Sequence, residues 1–239
     1  MTGTLILFAV SIVFLYAAQY FFPIRKFSPS AQRSHLFFHI GMLVVVVVEV
    51  YYASSLGFIE QLVEWLPFLK MANHNEWSTH RPPIIKFLTV ILGLDLFSYF
   101  WHRANHKLNF LWKWHKFHHQ TEVMDPLAAY RFHPIEIFLG YKLRALVILM
   151  FGFSVETVTV FITTYGLFNI YQHSNFKTPK LFDEVYSLIF VSPSRHHVHH
   201  LRDRQLQNSN YATIFIFWDR LFGSYEAPRP IHDNDIGLE

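Results

Sequence analysis

Four stretches of the chain are apolar over lengths that fit a membrane crossing. Residues 5–22 carry no charge, and at about 1.5 Å per residue they come close to the thickness of a hydrocarbon core. Residues 36–58 contain the run Val44 to Val48 and one acid, Glu49. Residues 84–101 carry Lys86 near their start and Asp95 deep within. Residues 135–171 are longer and are interrupted by Lys142, Arg144 and a break at Gly152, Phe153 and Ser154. That pattern predicts a helical hairpin with arms near 138–151 and 155–171. No alternating run is long enough to suggest a sheet, so the expected fold is all-α: a polytopic transmembrane helical bundle.

Charge sets the expected direction of each crossing. Arg25, Lys26 and Arg33 follow the first segment, and the positive-inside rule assigns their loop to the cytoplasm. Residues 59–83 then fall outside, where Glu60, Glu64 and Glu76 offset Lys70 and Arg81. The third crossing returns the chain to the cytoplasm at His102, and a hairpin that enters and leaves on one side keeps the rest there. Residues 102–134 and 172–226 thus form a cytoplasmic, His-rich helical cap on a single domain, 1–226. The tail 227–239, with Pro228, Pro230 and several acids, is expected to fray. A removable leader is the alternative for residues 5–22, but a basic n-region and a small-x-small cleavage site are lacking.

Composition agrees with lipid contact. Apolar residues make up 52% and charged residues 15%, against about 45–50% and about 25% in typical soluble domains. Cysteine is absent, which excludes disulfides, zinc fingers, iron–sulfur clusters and thiol nucleophiles. Any metal must therefore be held by His and carboxylates. The formal charge of +3 shows no basic stripe, so nucleic acid is not an expected partner.

Sixteen histidines then need an explanation. His102 and His106 lie one helical turn apart at the end of the third apolar segment, on one face. His115, His118 and His119 follow, and His196, His199 and His200 repeat their spacing. His133 and His173 stand between the clusters. A lone His is more often a surface or hydrogen-bonded core residue than a ligand; three clusters beside apolar helices point to metal. Ten candidates exceed what one ion can use, whereas two ions with four to five imidazoles each would use the set.

In this order the residues resemble the fatty acid hydroxylase and sterol desaturase superfamily. The resemblance runs over roughly residues 90–226. It starts with Asp95 to Tyr99 and His102-Arg103-x-x-His106, then His115-x-x-His118-His119. Arg131-x-His133-Pro134-x-Glu136 and Gln172-His173-Ser174-Asn175 follow. Pro193, His196-x-x-His199-His200, Asn210-Tyr211 and Trp218 to Tyr225 complete it. The resemblance implies two iron ions, dioxygen as co-substrate, and electrons from an NAD(P)H-linked reductase or redox carrier. The implied reaction is hydroxylation or desaturation of a sterol, fatty acyl chain, sphingoid base, carotenoid or alkyl ether. Ligand roles carry to His102, His106, His115, His118, His119, His196, His199 and His200, and also to His133 and His173. Such an enzyme would sit in the cytoplasmic membrane of a bacterium or the endoplasmic reticulum of a eukaryote. Two features depart from the pattern: Ala212 stands where Gly is usual, and residues 201–209, with Arg202, Asp203 and Arg204, look looser.

Supporting roles are expected of Asp95, Glu136 and Asp219, which could accept the second N–H of a ligand imidazole. Asp95 is two turns before His102; Glu136 and Asp219 are assigned to His133 or His200, against ion pairs with Arg131 and Arg220. His197, off the cluster spacing, is given a supporting or surface role. Trp101, Trp112, Trp114 and Trp218 are read as interfacial anchors. His35, His39, His74, His80 and His232 lie outside the pattern. Two other classes remain open: a zinc-dependent membrane hydrolase, disfavoured because His-Glu-x-x-His is missing, and a non-catalytic membrane metal-binding protein.

Overall fold

The computed structural model describes residues 2–26, 81–151, 153, 155–232 and 235–238. The expected crossing at 36–58 lies outside the described residues. Among those described, helix α1 is Thr2–Phe21, α2 Pro83–Lys107, α3 Asn109–His119, α4 Pro134–Phe151 and α5 Val155–His173. Shorter helices follow: α6 Lys180–Tyr186, α7 Pro193–His199, α8 Arg204–Gln207 and α9 Phe217–Leu221. A 3-10 turn, Pro126–Tyr130, separates α3 from α4.

Local chemistry sets these boundaries. Proline occupies the first turn of α2, where its missing N–H costs nothing. The helix runs through the apolar segment and on past His102 and His106, until Leu108 turns extended and α3 begins. Asp125 caps the 3-10 turn by accepting from the N–H groups of Leu127 and Ala128. Helix α4 ends at Phe151 and α5 begins at Val155, matching the arms expected from the sequence.

α2 is the one described helix long and apolar enough to cross a membrane. Val90, Ile91 and Leu94 face Phe161 of α5 and Ile214 in a buried cluster, while Ile84, Ile85, Leu88 and Leu92 point outward and are exposed. On α1, Ile6, Val10, Val13 and Phe14 are exposed, and Leu15 packs with Ala129 and Ile170. The end of α1 is tied to the residues just after α5. Ile24 N–H donates to the Asn175 carbonyl, Lys177 N–H to that of Phe22, and Asn175 Nδ2 to that of Arg25. The C-terminal ends of α1 and α5 therefore meet, and the histidines at the end of α2 lie on the same side.

The segment after α7 has two anchors. Asp95, fully buried on α2, accepts from Ile214 N–H, Phe215 N–H and Trp218 Nε1 at 3.0–3.2 Å. Asn210 adopts a positive φ of 48°, a conformation Asn tolerates better than most residues. Its side chain joins the carbonyls of Arg195 and Glu226 and accepts from Glu226 N–H.

Two expectations change here. Residues 201–209 are ordered, with Asp203 capping α8. The tail is docked at its end: Gly237 N–H donates to the His200 carbonyl, Arg202 N–H to that of Asp235, and Ile236 is buried with Met124, Val198 and Leu201. One apolar side chain supplies the burial that composition did not suggest.

Asp95→Ala leaves three buried donors without their acceptor, so a loss of about 3 kcal/mol or more is expected. Thermal unfolding in detergent should show it, with proteolysis within residues 210–225 rising first.

Candidate metal centre

Nine of the ten candidate histidines converge, in two adjoining groups. His102, His106, His115, His119 and His199 form one; His118, His173, His196 and His200 form the other; the candidate ligand atoms within each lie within 4.8 Å of one another. α2, α3, α5 and the α7 segment supply them. Helical geometry explains the distribution. His102 and His106 share a face of α2, while neighbours 118 and 119 point about 100° apart and so serve different groups. His199 and His200 divide the same way.

Ring orientation is set by backbone acceptors. His102 Nδ1 lies 2.8 Å from the Tyr211 carbonyl, His173 Nδ1 2.8 Å from that of Asn169, and His199 Nδ1 2.7 Å from that of Ser209. A carbonyl only accepts, so each Nδ1 carries the proton and each Nε2 presents its lone pair. His115 Nδ1 lies 2.7 Å from Glu136 Oε1. In the four-residue group, His173 Nε2 stands 3.2 Å from His118 Nε2 and 3.1 Å from His196 Nε2, and His196 Nε2 stands 3.2 Å from His200 Nε2. In the five-residue group His106 and His119 bring Nε2 atoms to 3.1 Å, and the Nε2 atoms of His102, His115 and His199 are buried without a partner.

These separations fit metal binding. Two imidazole nitrogens on one ion, each at about 2.0–2.1 Å, stand about 3.0–3.4 Å apart. Neutral imidazole suits Fe, Zn, Cu and Ni. Burial, reinforced by neighbouring imidazoles, holds His118, His119, His196 and His200 well below the ordinary imidazole range, and burial takes His199 down to about 3. The rings are thus neutral and able to bind metal at physiological pH.

Other expectations need correction. His133 joins neither group. Its ring Nδ1 accepts from Ile135 N–H at the start of α4, and the ring packs on Trp114 at 4.4 Å. Glu136 does support a histidine, but His115 in place of His133 or His200. Asp95 touches no imidazole, because its oxygens are used by the 214–218 segment. Asp219 contacts no imidazole either. It accepts from Tyr211 N–H, Ala212 N–H and Ser224 Oγ, and so steadies the peptide whose carbonyl orients His102. Arg220 reaches the Ser187 and Leu188 carbonyls. His197 is fully buried, ruling out a surface role; burial, then His173 and Arg25, lower it to about 3. Two of the tryptophans pack inward: Trp112 lies 5.1 Å from His106, and Trp218 donates to Asp95. The carbonyls of Asn169, Ser209 and Tyr211 had no sequence signal, since every residue carries one.

A cavity of about 200 Å³ opens onto both groups. His102, His115, His118, His173 and His196 line it together with Trp101, Tyr130, Phe132, Ile137, Tyr165 and Phe8.

The fatty acid hydroxylase family model matches residues 87–224, which include every histidine of both groups. The chain belongs to the fatty acid hydroxylase family. Among its relatives in the same superfamily, human alkylglycerol monooxygenase is 31% identical over 139 residues, 58% of this chain and 30% of that protein. Human lathosterol oxidase is 30% identical over 149 residues, 61% of this chain and 46% of that protein. An ornithine lipid hydroxylase from Rhizobium tropici is 27% identical over 154 residues, 62% of this chain and 45% of that protein. The chain thus spans less than half the length of these curated relatives. No solved structure matches it.

Two outcomes follow for this family member. His173→Ala is expected to lower the metal content of the purified protein, while His133→Ala leaves it unchanged; elemental analysis distinguishes them. Because His199 is depressed from 6.5 to about 3 when folded, the unfolded chain binds more protons between those values. Stability and metal retention should therefore be full above about pH 6.5 and fall as the pH drops towards about 3, as followed by unfolding and metal release.

Proposed function

We propose that this chain is an integral membrane oxygenase that hydroxylates or desaturates a lipid, using two iron ions, dioxygen and electrons from an NAD(P)H-linked reductase or redox carrier. The observation that carries this reading is the pair of adjoining imidazole groups opening onto one largely aromatic cavity. His102, His106, His115, His119 and His199 would hold one ion, and His118, His173, His196 and His200 the other. A single catalytic zinc takes three protein ligands and a water, so nine convergent imidazoles speak against the hydrolase alternative.

Bound iron supplies the redox chemistry by which dioxygen oxidises a C–H bond. The residues of the chain do the rest. Glu136 and the carbonyls of Asn169, Ser209 and Tyr211 engage four ring Nδ1 atoms, which keeps those Nε2 atoms turned to the ions. Phe132 stacks on His118 at 4.5 Å, closing that ring from solvent. Trp101, Tyr130, Ile137 and Tyr165 give an apolar lipid chain a dry wall beside the imidazoles.

Membrane placement follows the same reasoning. Exposed apolar side chains on α1 and α2 suit lipid, and Arg25 and Lys26 lie on the side of the cap, which favours the cytoplasmic face. α1 and α2 both end at that side, which agrees with a polytopic bundle. Residues 1–226 then act as one catalytic unit.

Purified with iron, the protein is expected to hold about two ions per chain and to consume dioxygen only when lipid and reductant are both present. His118→Ala and His199→Ala, one from each group, should lower turnover by more than about 100-fold while membrane insertion persists. Full activity in either variant overturns the ligand assignment; lipid hydrolysis without dioxygen overturns the reaction.

A further inference from the structure

One charged side chain in the cavity wall has no role in holding the imidazoles. Arg144 lies ten residues into α4, about 15 Å from its start, within an apolar helix. Glu136, Ile137, Gly140, Tyr141 and Arg144 all line the cavity, and their spacing of about four places them on one face of the helix. The guanidinium is therefore turned inward and away from lipid. Its Cζ lies 5.0 Å from the Tyr165 ring and 6.0 Å from that of Tyr141. Nη2 makes a long contact of 3.4 Å to Ser98 Oγ, whose proton is already given to the Leu94 carbonyl. Nε is buried without a partner. Among the described residues no carboxylate forms an ion pair with it.

A cation at this depth is costly and is usually retained for a ligand. Its position matters as much as its charge. Ser98 is four residues before His102 on α2, about 6 Å along the axis, and both line the cavity. We propose that Arg144 binds the anionic group of the lipid substrate, a carboxylate or a phosphate ester. This rests on the lipid-oxygenase reading for the identity of the occupant. The guanidinium fork matches both anions through paired N–H donors. Anchored there, the lipid presents a carbon within a few bonds of its head group to the imidazole centre, while the tail lies along Ile162, Tyr165 and Phe8.

The test uses the full chain in maltoside micelles, titrated with oleate, dioleoyl phosphatidic acid, oleyl alcohol and dioleoylglycerol and read by native mass spectrometry. Wild-type protein is expected to prefer the anionic lipids over their neutral counterparts by about tenfold. R144Q should lose that preference without changing metal content, and R144K should keep part of it. Stronger binding of oleate than of phosphatidic acid identifies a free carboxylate; the reverse identifies a phosphate head group. Equal binding of charged and neutral lipids by the wild type overturns the assignment, as does a preference that survives in R144Q. If R144Q fails to fold, the wild-type comparison and R144K still decide. Dioxygen uptake on the same samples separates the two ideas: a chain that keeps the preference but consumes no dioxygen overturns the reaction and leaves the anion site standing.

Discussion

The histidine centre depends on nine imidazoles held together largely out of water. Three of them have Nδ1 committed to a backbone carbonyl, so their Nε2 lone pairs point inward. Nε2 atoms stand 3.1–3.2 Å apart around His196, close enough for a proton or a metal ion to lie between them. Protonation is opposed by burial. The arrangement is a cage that could hold metal, and the protein must keep it open by means other than attraction among its own side chains.

Those means come from residues remote in sequence. Asp95 on α2 holds the segment at 214–218, and Asp219 holds the Tyr211 peptide. That peptide in turn fixes the His102 ring. Asn210, in its left-handed conformation, ties the same loop to Arg195 and Glu226. The buried Arg195–Asp183 pair braces the helix that carries His196 and His199. Asp95 and Asp219, which sequence logic would assign to the imidazoles, act one step further out, on the backbone that positions them, whereas Glu136 meets His115 directly.

This explains which features were legible in the chain and which were not. Spacings of three and four residues report which side chains share a helical face, so His102 with His106 and the two His-x-x-His-His clusters stood out. The helical content of the described residues and the end of α4 at Phe151 were visible for similar reasons. The choice between His133 and His173 was not, because both are isolated and their difference lies in where α4 and α5 aim them. Asp95 could be seen to be buried and costly, but its partners lie about 120 residues away. The docking of Ile236 was equally hidden, since a single apolar residue in a polar tail has no period. The Arg144 charge was visible as an interruption of an apolar run; its inward direction became apparent only with the helices packed.

The division of neighbouring histidines between the two groups has a mechanical corollary. One peptide bond joins His118 to His119, and another joins His199 to His200, so each backbone link spans both halves of the centre. A tilt of either helix moves one donor into each half at once. The two halves can neither drift apart nor be tuned separately by sliding a helix, and a one-residue insertion at either dyad would misalign both. Such a coupling keeps the gap between the halves constant while the cavity walls remain free to vary.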